Sequence, residues 1–284
     1  MNSGQKFYAT STAFRRALED RLIRMASNEN VDVQRLRREV AFDRFLTRLF
    51  QKDAAPWMLK GGYAMELRIK GARATRDIDL AVRDTLNEKA GGLLEALQKA
   101  AAQDLNDFFV FQVGAPTTDI EAAPYGGNRY PVETWMDDRR FIKFHVDIGI
   151  GDVVLEPLEI TRGRDWLDFA GIPARGFPTI SQEQQFAEKL HAYTQPRPRQ
   201  NSRVRDLVDM ILLINLEKMD LKKVQKTIRA TFNRRKTHLV PSQLDQPPSD
   251  WIQPFAGLAR DCSLPEDLGI GFDKLKKYYS ALAL

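Results

Sequence analysis

At residues 77–82 the chain reads D-I-D-L-A-V, two carboxylates one residue apart running straight into an apolar segment. Side chains at i and i+2 of a strand point to the same face. Asp77 and Asp79 therefore project together, and Ile78 turns the other way into a core. Like charges held that close repel, so the fold has to bring them a positive partner. That partner is either a metal cation or a nearby basic side chain.

The composition allows a chemical answer. The chain has 284 residues, 43% hydrophobic and 29% charged, which suits one large globular domain or two modest ones. No apolar run approaches the roughly 20 residues of a membrane helix, and the opening MNSGQKFYATSTAFRR lacks the apolar core of a secretory leader. A single cysteine, Cys262, excludes an intrachain disulfide and fits a reducing compartment. A cytoplasmic protein without membrane attachment is expected. The formal charge of +5 permits contact with nucleic acid without requiring it. Much of the excess lies in 195–205 and 222–236, with more in 15–24.

Periodicity predicts amphipathic helices over 11–28 and 32–51, a short strand at 57–60, a short helix over 63–69, a strand at 77–82 and a helix over 84–103. Between 108 and 157 the pattern turns to strands: FFVFQVG, RYPVETWM, FIKFHVDIGI and VVLEPL, with a hairpin turn in MDDRR. A Gly- and Pro-containing loop is expected over 161–178. Helices follow over 181–194, 203–215 and 220–235, the first with Ser181 and Gln184 placed as a capping box. A Pro-rich loop over 241–254 and an amphipathic end complete the chain. The fold expected is mixed α+β: a lobe over 1–180 with a small mixed sheet and leading helices, then a helical lobe over 181–284.

Several polar residues fall where polar residues need a reason. Gly61-Gly62 lies between a strand and a helix, where backbone N–H groups can approach a phosphate, although such a pair also serves as a simple turn. Asp147 interrupts the apolar strand FHVDIGI and must be paired, hydrogen-bonded or metal-bound. Three carboxylates on neighbouring strands suit a hard cation. The competing reading has Asp77 capping a turn and Asp79 paired with Arg73 or Arg76. Lys189 lies among Phe186, Leu190 and Tyr193, as a phosphate-holding charge or as a snorkelling surface lysine. Asp206 and Asp209 share a helix face. Asp209 is placed to orient Lys189 or substrate, and Asp206 to pair with Arg203 or Arg205. The three histidines are too scattered for a zinc site.

Five blocks occur in order: LKGGYAMELR, RATRDIDLAV, FHVDIGIGD, QQFAEKLHAY and SRVRDLVDMILL. Together, over about residues 35–217, they resemble the AbiEii-type toxins, bacterial proteins of the polymerase-β nucleotidyltransferase superfamily. The resemblance implies a polymerase-β-like lobe, an NTP substrate, Mg²⁺ or Mn²⁺, a cognate antitoxin and the 3′ end of tRNA as acceptor. It implies Asp77, Asp79 and Asp147 as metal ligands, and Asp77, Asp79, Asp147, Lys189 and Asp209 as catalytic. The nucleotide-binding set is Lys60, Gly61, Gly62, Tyr63, Arg76 and Lys189. Tyr63 stands where the family usually has Ser or Thr. Two other readings stay open: transfer to a protein or small-molecule acceptor, and a non-catalytic binding module, which Tyr63 favours.

Overall fold

The computed structural model describes residues 8–52, 55–82, 90–119, 123–197 and 203–284. In chain order the elements begin α1 (Ser11–Glu29), α2 (Val33–Leu49), β1 (Trp57–Lys60), α3 (Gly61–Arg68), β2 (Asp77–Val82) and α4 (Ala90–Ala101). The strands β3 (Val110–Val113), β4 (Thr118–Asp119), β5 (Gly127–Met136), β6 (Arg139–Gly149), β7 (Glu159–Arg162) and β8 (Gly176–Thr179) follow. The chain ends in helices α5 (Gln182–Thr194), α6 (Val204–Asn215), α7 (Leu221–Arg235), α8 (Ile252–Asp261) and α9 (Leu268–Ala281). Two compact units emerge. The first comprises Met1–Leu59, Ala74–Gly151 and Ile160–Pro178, and the second Lys60–Arg73, Asp152–Glu159 and Thr179–Leu284.

The first unit holds the mixed sheet, in the order β3-β5-β6-β2-β1-β8-β7 with β4 paired to β5. β2 and β6 run parallel, whereas β5 pairs antiparallel with β6 and β3. The β5–β6 hairpin turns at Asp137 and Asp138, both with positive φ (56° and 51°), as a two-residue turn matching strand twist requires. One sheet face is apolar and carries α2. The Phe42 ring lies 4.9 Å from that of Phe144, and Phe45 lies 5.6 Å from it, both edge-on. Beneath this layer Arg48 donates to Asp107 Oδ1 at 2.7 Å, and Arg44 Nε to its Oδ2 at 2.8 Å. All three side chains are buried, so this acid is spent on structure.

The second unit is a helical cluster. Met65 of α3 and Ile69 just after it pack with the apolar faces of α5 to α9, including Phe186, Leu207, Phe232 and Phe272. Ser181 caps α5 by accepting from Gln184 N at 3.2 Å, Asp220 caps α7 and Asp267 caps α9. Burial pushes the Cys262 thiol up to about 11, which keeps it protonated at neutral pH.

The structure departs from the sequence expectations in three places. VVLEPL is not a strand, and strands instead form at β7 and β8, which overlap the two ends of the segment expected as loop. α3 begins at Gly61 rather than Tyr63. α8 begins inside the Pro-rich stretch, where Pro254 occupies the first turn and its missing N–H is no loss. Residues 84–89 of the expected 84–103 helix, and 198–202 of the basic stretch 195–205, lie outside the described residues. Among the described residues no helix is long and apolar enough to cross a membrane.

Candidate active site

The acids of the first unit are aligned by strand register. β2 and β6 pair Asp77 with His145 and Asp79 with Asp147. β5, on the other side of β6, pairs Arg129 with Asp147 and Pro131 with His145. Laterally paired residues share a face. Two rows therefore cross three strands: Arg129–Asp147–Asp79, and Pro131–His145–Asp77. The row between them, Tyr130–Val146–Ile78, points to the opposite face and is at most 1% exposed.

Arg129 closes on these acids. Its Nε donates to Asp147 Oδ1 and its Nη2 to Asp147 Oδ2, both at 2.7 Å. Nη2 also reaches Asp77 Oδ2 at 3.4 Å. His145 Nδ1 stands 3.6 Å from Asp77 Oδ1. Hydrogen bonding to Asp147, opposed by burial and helped by the charges of Asp147, Asp77 and Asp79, holds the guanidinium above its ordinary pKa. Arg129 thus gives the acidic face a basic partner, in contact with Asp147 and Asp77. Arg76 is exposed.

The donor chemistry fits a hard divalent cation. Asp77 and Asp79 offer carboxylates from one face of β2, part-exposed, and Asp147 lies in register beside Asp79. Among the described residues, however, no three His, Cys, Asp or Glu side chains are grouped as a metal cage. Asp147 gives both of its oxygens to Arg129.

In the second unit, Lys60 and Gly61 form the junction where α3 starts. Gly61 has φ +67°, a conformation that costs glycine little, and its carbonyl accepts from Gln185 Nε2 at 2.6 Å. Gly62 is buried, and Tyr63 is only 1% exposed. Lys60 Nζ donates to Asp152 Oδ2 at 2.6 Å and Glu188 Oε2 at 3.2 Å. Arg235 Nε donates to Asp152 Oδ1 at 2.9 Å, and its Nη2 lies 3.7 Å from Glu188. Two cations thus alternate with two acids. Burial alone would lower the Lys60 pKa, but Asp152 and Glu188 outweigh it and hold the ammonium above its ordinary value.

Lys189 is buried rather than snorkelling, at 8% exposure. Its Nζ lies 2.6 Å from Asp209 Oδ2 and 3.5 Å from Asp206 Oδ1. Arg73 grips the same Asp209 with Nε at 2.9 Å and Nη2 at 2.8 Å. Burial works to raise the Asp209 pKa, but Lys189 and Arg73 together hold it below the carboxylate range. Asp206 pairs with Arg203 at 3.6 Å. His191, two residues on from Lys189, is pushed down to about 3 by burial, Arg235 and His238. It is therefore a neutral ring, with Thr237 Oγ1 2.9 Å from its Nε2.

Periodicity and motif spacing do not reveal Arg129, Asp152, Glu188 and Arg235, or the pairing of Arg73 with Asp209. For Arg129 half of the signal was present. Arg129 and Pro131 alternate with Tyr130 and Val132, which puts the arginine on a polar face. Its partner depends on register between strands, which a linear pattern does not encode.

Residues 44–274 match the family described as nucleotidyl transferase AbiEii toxin, type IV TA system. Among solved structures the chain is similar to MenT4, a nucleotidyltransferase toxin from Mycobacterium tuberculosis H37Rv. That likeness has 16% identity and a TM-score of 0.57, and covers 86% of this chain and 82% of that one. At such identity it speaks to the fold alone. JHP933 from Helicobacter pylori also aligns, at 16% identity over 88% of this chain and 95% of that one, with a TM-score of 0.46 that carries no argument. No curated protein matches the chain.

Proposed function

Because the chain belongs to the AbiEii nucleotidyltransferase toxin family, we propose that it transfers a nucleoside monophosphate from an NTP to the 3′ end of tRNA and so blocks translation. Toxin-type nucleotidyl transfer and an antitoxin partner come with the family. The acceptor, the metal and the individual roles are our reading. The observation that carries it is the register placing Asp79 beside Asp147 on the polar face of the sheet, one row from Asp77.

Asp77, Asp79 and Asp147 would hold Mg²⁺ or Mn²⁺. Such an ion would supply positive charge to offset the negative charge that builds on the attacking hydroxyl oxygen and the leaving phosphate oxygen. Asp147 accepts a hydrogen bond from the attacking hydroxyl, orients it and takes its proton as the new bond forms. The hydroxyl oxygen bonds to the α-phosphorus as the bond to the bridging oxygen breaks and pyrophosphate departs. Lys60, Gly61, Gly62, Arg76 and Lys189 form the nucleotide-binding set, Gly61 and Gly62 through their backbone. Tyr63, being buried, supports the Gly61–Gly62 turn by packing. Asp209 positions Lys189. The work is mainly orientation and charge compensation. On α7 the exposed Lys222, Lys226 and Arg229 recur at intervals of four and three. They form a stripe suited to RNA phosphates.

The test is incubation of the protein with total tRNA and each α-labelled NTP in turn, with Asp77→Ala as control. Label on tRNA, lost in Asp77→Ala, is the expected result. Label on protein instead would move the acceptor. No label from any nucleotide would overturn the reading.

A further inference from the structure

We propose that Arg129 is a built-in counter-cation that occupies the acidic face and must let go of Asp147 for a divalent ion to be held by Asp77, Asp79 and Asp147 together. The inference rests on the metal-dependent transferase reading above and adds a device that controls it.

The geometry carries the argument. Both Asp147 oxygens are engaged by one planar guanidinium in a fork, and a third contact runs from the same Nη2 to Asp77. Bidentate arginine–carboxylate pairs are among the stronger polar contacts, fixed in direction as well as distance. While the fork is closed, Asp147 faces along its row towards β5 and away from joint ligation with Asp79. This accounts for three aligned acids that form no cage. Arg129 and Asp147 are also direct register partners. Any fold that sets the acid in place therefore sets the arginine beside it.

Arginine cannot release its partner by losing a proton, because it stays charged at any physiological pH. Only a stronger competing cation, or a new anionic partner for the guanidinium, opens the fork. A divalent ion supplies the first. The triphosphate of a nucleotide supplies the second, since its oxygens match the same fork. Metal and nucleotide should therefore bind with positive coupling through Arg129, each removing one of the contacts that oppose the other. The pair is part-exposed, with 37% of the Arg129 side chain and 16% of Asp147 accessible, so the arginine has room to leave.

The test is Mn²⁺ binding by the full chain without nucleotide, followed by electron paramagnetic resonance. Arg129→Gln should bind Mn²⁺ about tenfold more tightly than the unaltered protein, the size of one good charge-assisted pair removed from competition. Arg129→Lys, which keeps the charge but loses the fork, should fall between, and it serves if the glutamine variant folds poorly. Arg76→Gln removes an equal charge beside Asp77 and should change affinity much less. A second readout needs no variant: the Arg129 Nε–H resonance should shift and exchange faster with solvent on Mg²⁺ addition. Unchanged or weaker Mn²⁺ binding by Arg129→Gln would overturn the proposal. So would equal tightening by Arg76→Gln, or absence of Mn²⁺ binding in every variant. Normal Mn²⁺ binding with no label from any nucleotide on tRNA or protein would instead remove the transferase reading and leave this comparison standing.

Discussion

Surroundings decide what a carboxylate can do. Asp107 is enclosed by Arg44 and Arg48 with no exposure and serves as structural cement. Asp77, a residue of the same type, is about one-third exposed and open to chemistry. Removing one partner of a buried ion pair strands the other, at a cost of about 3–5 kcal/mol. Asp107→Ala should lose that much in urea unfolding, whereas Asp77→Ala should lose activity and little stability. Tyr63→Ser would recreate the family's usual residue, but it empties a fully buried site. We expect it to destabilise by about 3–5 kcal/mol, as read by thermal and urea unfolding. Asp43 is a third case. Burial pushes its carboxyl up to about 7, and its Oδ2 has no hydrogen-bond partner. Between about pH 4 and 7 the folded chain keeps a proton there that the unfolded chain has released, so stability falls as pH rises through that window. Asp43→Asn should therefore stabilise the protein at pH 8 by about 2–4 kcal/mol relative to its effect at pH 4.5. Urea titrations at the two pH values check it. The acids Asp77, Asp79 and Asp147 were legible because each breaks an apolar pattern. Arg129 was not, because arginines on strands are ordinary until a partner is known.

At the level of elements, the long amphipathic helices α2, α5, α6 and α7 were legible from spacing alone. The β5–β6 hairpin was legible from alternation around MDDRR. The strands β7 and β8 were hidden: unlike the apolar WMLK of β1, EITR and GFPT mix charged, Gly and Pro residues and are defined by their neighbours in the sheet. Register was hidden for the same reason, and it is register that makes the acidic face. Gly127 guards it. A Cβ there would lie 2.2 Å from the Ile148 carbonyl oxygen, so β5 could not keep its approach to β6 two residues from Arg129. Gly127→Ala should cost about 1–3 kcal/mol and displace Arg129 from Asp147. Melting temperature and the Arg129 Nε–H resonance would report the two effects separately.

Over the whole molecule, the two units carry buried titratable groups of opposite sense. Asp43 in the first holds an extra proton when folded. His191 in the second, pushed down to about 3, lacks one that the unfolded chain takes up below its ordinary 6.5. Below that value the second unit loses stability as pH falls. Acidification from pH 6.5 to 4.5 should therefore weaken the second unit while the Asp43 contribution strengthens the first. Hydrogen exchange should show α5–α7 amides losing protection before those of β5 and β6. A linear reading finds sheet-forming and helix-forming stretches. It does not find that the chain returns to the helical unit at 60–73 and 152–159, because those returns are fixed by contacts far apart in sequence. This interleaving has a consequence during synthesis. A ribosome making the chain must pass Pro178 before the sheet has all its strands, and must reach the last helices before the other unit can close. Both units therefore close late, once most of the chain has left the ribosome.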